Sequence, residues 1–122
     1  MSEQTVHDVM REALRLSTRL EAVTDETYRV ARKLAVASHT FEQAYAKAWW
    51  EVRDEMEPKL LVKDYESEAI RRVAEQAKTV GALKAEDRAL DAASRNLRAQ
   101  LSSCQSVAAA LREEMRLAGG VT

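Results

Sequence analysis

The sequence predicts an all-α fold: a long helical hairpin with an extra N-terminal helix, coiled-coil-like packing and homo-oligomeric assembly. Three observations predict it. Leu83, Leu90, Leu97, Cys104 and Leu111 recur every seventh residue, and Val73, Val80, Leu101, Ala108 and Met115 share the same grid. Two apolar columns at that spacing form one helix face that has to be buried against another helix. Glycine and proline are nearly absent, with 3 and 1 in 122 residues, while 32% of residues are charged, a composition of long helices. Pro58, the lone proline, separates two long helical patterns and lets them fold back on each other.

The elements follow in order within a single helical domain, 1–122. An N-terminal helix over 1–23 carries Val6, Val9, Met10, Ala13, Leu16 and Leu20 on one stripe. Thr24-Asp25 reads as an N-cap, and a second helix over 25–56 follows with Val30, Leu34, Ala37, Phe41, Ala44, Ala48 and Val52 on its seam. Tyr28, Tyr45, Trp49 and Trp50 lie off that seam. A connector over 57–63 ends at Asp64, a second N-cap. A long C-terminal helical segment over 64–118 then runs to the Gly119-Gly120 stop, with a break expected near 78–81, where Thr79 offers a cap and Gly81 a weak point.

A two-helix hairpin has little material to bury two seams, so the surplus apolar surface predicts self-association. Leu34, Phe41, Leu83, Leu90, Leu97, Leu101 and Leu111 are the expected packing and oligomer seam. Asp87 and Ser94 interrupt one column. Either they fix register as polar seam residues, or the seam rotates and Ala89 or Ala93 takes the buried place.

Composition also excludes. The formal charge of −1 implies no global attraction to nucleic acid or membrane. Cys104 has no intrachain partner and reads as a small buried hydrophobe. His7 and His39 stand far apart with no metal-ligand spacing, and no phosphate loop or nucleophile motif occurs, so no catalytic residue, metal or cofactor is expected. The opening Met1-Ser2-Glu3-Gln4 lacks an apolar leader core, and no stretch is long and apolar enough to span a membrane. A cytoplasmic location is the expectation.

One local feature points to binding. Lys47, Arg53, Lys59, Lys63, Arg71, Arg72 and Lys78 cluster around the connector, with Trp49 and Trp50 beside them. Cations that neutralise phosphates and aromatics that stack on bases are the two ingredients of single-strand binding. Glu51, Asp54, Glu55 and Glu57 are equally close, which supports a solvated, self-neutralised face with both tryptophans in the core.

From about Ala35 to Gly120 the layout resembles the UvsY-like recombination mediators of bacteriophages. The residues that carry it are Ala44-Tyr45-Ala46-Lys47-Ala48-Trp49-Trp50-Glu51-Val52-Arg53, the connector Lys59-Leu60-Leu61-Val62-Lys63, the helix start Asp64-Tyr65-Glu66-Ser67-Glu68-Ala69-Ile70, and the closing Leu111-Arg112-Glu113-Glu114-Met115-Arg116-Leu117. The resemblance implies an all-helical, ring-forming protein of phage origin in the host cytoplasm. It also implies binding of single-stranded DNA and help in loading a RecA-like recombinase onto DNA coated by a single-strand-binding protein. Lys47, Lys59 and Lys63 are the basic positions it carries over. The alternative is a non-enzymatic helical structural or adaptor protein that acts through protein–protein contacts only.

Overall fold

A computed structural model of the chain describes residues 3–55 and 62–120. They form three helices: α1 (Glu3–Glu55), α2 (Val62–Arg72) and α3 (Ala74–Gly120). No strand occurs among the described residues, and no helix among them is long and apolar enough to cross a membrane.

The expected boundary at Thr24-Asp25 does not exist, and the N-terminal and second helices are one. The Thr24 hydroxyl donates to Leu20 O at 2.9 Å and the Thr27 hydroxyl to Val23 O at 2.8 Å. Both bond back into the preceding turn, the geometry of a helix interior; an N-cap oxygen instead accepts from the turn that follows. The seam explains the continuity. Leu16, Leu20, Val23, Thr27, Val30 and Leu34 keep alternating four- and three-residue steps through the supposed break, and all are buried or half-buried.

The expected break at 78–81 is displaced to Val73. There α2 and α3 abut, and the Val73 N–H is shared between Ala69 O and Ile70 O, both at 3.2 Å, while Ala77 N–H reaches Val73 O at 3.0 Å. Such three-centre bonding is usual at helix ends. Thr79 donates its hydroxyl to Glu75 O, so it too is a helix-interior residue rather than a cap. Gly81 has an ordinary helical backbone, with the seam residues Val80 and Leu83 buried or half-buried on either side. Asp64 lies in the first turn of α2, not ahead of it, where its charge suits the helix dipole. Of the connector, Val62 and Lys63 belong to α2; residues 57–61 lie outside the described residues.

The chain divides into two compact units, Met1–Thr27 with Ala89–Thr122, and Tyr28–Arg88. In the first, Leu16 is 1% exposed and Leu97, Ala108 and Leu111 are buried. In the second, Val30, Val52, Ala69, Val73 and Val80 form the buried set. Every expected seam residue, Leu34, Phe41, Leu83, Leu90, Leu97, Leu101 and Leu111, is buried or half-buried within the single chain. Asp87 and Ser94 hold their seam positions, half-buried, while Ala89 is exposed, so the column does not rotate away from them.

Candidate functional site

The Tyr28–Arg88 unit contains the basic and aromatic candidates. Its packing centre is small: Ala48 of α1 meets Ala69 of α2 and Val73, with Phe41, Ala44, Tyr45 and Trp49 against them. Alanines at the contact let the two helices approach closely. The flank beside them is filled by Trp49, which meets the Tyr65 ring edge-on at 6.3 Å between centroids.

One residue on, the helix has turned by about 100°, and Trp50 is 57% exposed. Its ring stands edge-on to Trp49 at 5.3 Å. The Arg53 guanidinium carbon lies 5.2 Å from the Trp50 centroid and 5.6 Å from that of Trp49. That distance is within cation–π range. The tryptophans therefore divide the two sequence expectations between them, Trp49 contributing to the core and Trp50 to the surface.

The other basic candidates are largely engaged by carboxylates. Arg72 donates from Nη2 to Glu55 Oε2 at 2.6 Å and from Nε to Glu68 Oε1 at 3.3 Å. Arg71 forks onto Glu68 through Nε and Nη2. The Arg71 hydrogen bond, followed by that of Arg72, holds the Glu68 carboxyl down at about 2. Lys47 Nζ lies 3.9 Å from Glu51, an exposed and weak pairing. Lys63 and Lys78 are exposed on α2 and α3. Lys59 lies outside the described residues. Arg72 thus ties α2 to α1, a structural task that its sequence neighbours did not reveal.

A second feature of this unit was not legible in the sequence. An open groove of about 1010 Å³ runs between α1 and α3, with Val36, Ala37, Ala82 and Leu83 in its lining. Arg32 and Lys33 line it from α1 and Glu75 and Lys78 from α3. Val36 is 68% exposed. The available signal was Arg32, Val36 and Thr40 at four-residue steps beside the seam, which single out a face but not what lies opposite.

His7 and His39 are exposed and Cys104 is half-buried. Among the described residues no group of three or more His, Cys, Asp or Glu side chains is placed to hold a metal ion. Compared with known proteins, the chain matches no family model, no curated protein and no solved structure.

Proposed function

We propose that this chain is a non-enzymatic, single-stranded-DNA-binding accessory protein of recombination. In this role it helps a RecA-like recombinase displace a single-strand-binding protein, and it works as a homo-oligomer with coiled-coil-like helix packing, of the ring type that the family resemblance implies. One observation carries the proposal: the exposed Trp50 ring with the Arg53 guanidinium against it. An aromatic face accepts any base and the adjacent cation suits a phosphate, so strand binding needs no sequence readout. A second reading, an adaptor that binds only proteins, is favoured by the ion pairs that occupy Lys47, Arg71 and Arg72.

Binding to fluorescent oligo-dT, titrated with salt, separates the two. A DNA-binding role predicts affinity that falls steeply with salt and quenching of tryptophan emission as bases stack. Trp50→Ala should weaken binding by about tenfold, since a stacked base contributes roughly 1–3 kcal/mol. Arg53→Glu should weaken it as well. Absence of binding at low salt rejects the proposal and leaves the adaptor.

A further inference from the structure

The groove between α1 and α3 has oppositely charged ends. Within the Tyr28–Arg88 unit the helices run antiparallel: Glu55 pairs with Arg72, and Ala48 lies against Ala69 and Val73. Earlier residues of α1 therefore meet later residues of α3. At one end of the groove Thr40 adjoins the Glu75-Gln76 side; at the other Arg32 and Lys33 adjoin the Ala82-Leu83 side. Lys78 lies between. Among the described residues none of Arg32, Lys33, Glu75 and Lys78 has an ion-pair partner.

We propose that this groove is a two-fold interface in which a second copy of the chain seats its own groove face. A two-fold axis lying across the helices near Val36 and Thr79 reverses the ends. It brings Arg32 and Lys33 of each copy to the end that carries Glu75 of the other. Both charged contacts are then complementary, and the apolar strip around Val36 and Ala82 faces its own equivalent. The occupant is a helix pair because the lining is a long open trough. A small ligand is instead held in a concave site that encloses most of its surface. The seams inside the chain are already covered in each unit, so the groove, not the leucine columns, presents the remaining apolar surface. Trp50 and Arg53 line no part of it, which keeps this interface separate from the DNA-binding proposal.

Sedimentation velocity of the full chain over a concentration series tests it. The expected result is a reversible dimer contact in the wild type. Val36→Glu, at an exposed position, should abolish the contact while helicity by circular dichroism is unchanged. Glu75→Lys alone and the double variant Arg32→Glu/Lys33→Glu alone should each weaken the contact by at least about tenfold, because each places like charges together twice. Mixing these two variants should restore it, since both contacts in the mixed pair are again complementary. A wild type that is monomeric throughout the series overturns the proposal. So does self-association that survives Val36→Glu, or a mixture that associates no better than its components. Oligo-dT binding measured on the same variants keeps the two proposals distinguishable, because Val36→Glu leaves Trp50 and Arg53 in place.

Discussion

Arg72 and Glu55 are 17 residues apart in the chain and 2.6 Å apart in space, Nη2 to Oε2. This ion pair joins α2 to the end of α1, and Arg72 shares its guanidinium with Glu68 one turn earlier. Two arginines therefore converge on Glu68, and one of them also spans the helices. The charges that in sequence look like a DNA-binding cluster are, in this part, the fastening of the Tyr28–Arg88 unit.

Acid should loosen that fastening. Glu68 has its carboxyl lowered from 4.5 to about 2, so its contribution is fully present above pH 4.5 and is lost as pH falls through 2. An NMR titration of the Glu68 carboxyl should give a midpoint near 2. Arg71→Ala should move that midpoint upward, since the Arg71 hydrogen bond is its largest cause. A midpoint that ignores Arg71→Ala contradicts the arrangement.

Leu14 and Leu16 are two residues apart and should behave oppositely. Leu16 is buried and Leu14 is 69% exposed. Leu16→Ala should cost about 3 kcal/mol in denaturant unfolding, through lost apolar contact and the cavity it leaves. Leu14→Ala should stay within about 0.5 kcal/mol of wild type.

Thr24→Ala tests the continuity of α1. Removing a true N-cap costs about 1 kcal/mol. In the helix interior, where the hydroxyl only bonds back to Leu20 O, the change should be within about 0.5 kcal/mol either way, given the good helix propensity of alanine. A loss of helical signal would show that the helix does begin there.

Gly81→Ala should stabilise the protein. The glycine lies inside α3 with no positive φ, and a Cβ built there meets nothing within 4 Å. Replacement by alanine should gain about 1 kcal/mol from backbone entropy and propensity, read as a higher denaturation midpoint. A null or negative change would mean that α3 is not regular at Gly81.

By itself the sequence determined that the chain is helical and which face of each helix is buried. Periodicity is a local property: Val30, Val52, Val73, Val80, Leu97 and Leu111 follow from their spacing and are buried. It also contained the continuity of α1, because Val23 and Thr27 carry the seam through Thr24-Asp25. The cap chemistry there suggested a boundary because Thr and Asp favour caps only when the turn ahead of them is not already helical. Tertiary structure alone decided what stands opposite each face. Spacing in one helix cannot say that Arg72 meets Glu55, that Trp49 packs on Tyr65 while Trp50 stays in solvent, or that Arg32 and Glu75 cap opposite ends of one groove. Those facts depend on the register between helices far apart in the chain. The leucine columns determined that helices pair; the pairing decided which charges are consumed inside the chain and which face outward.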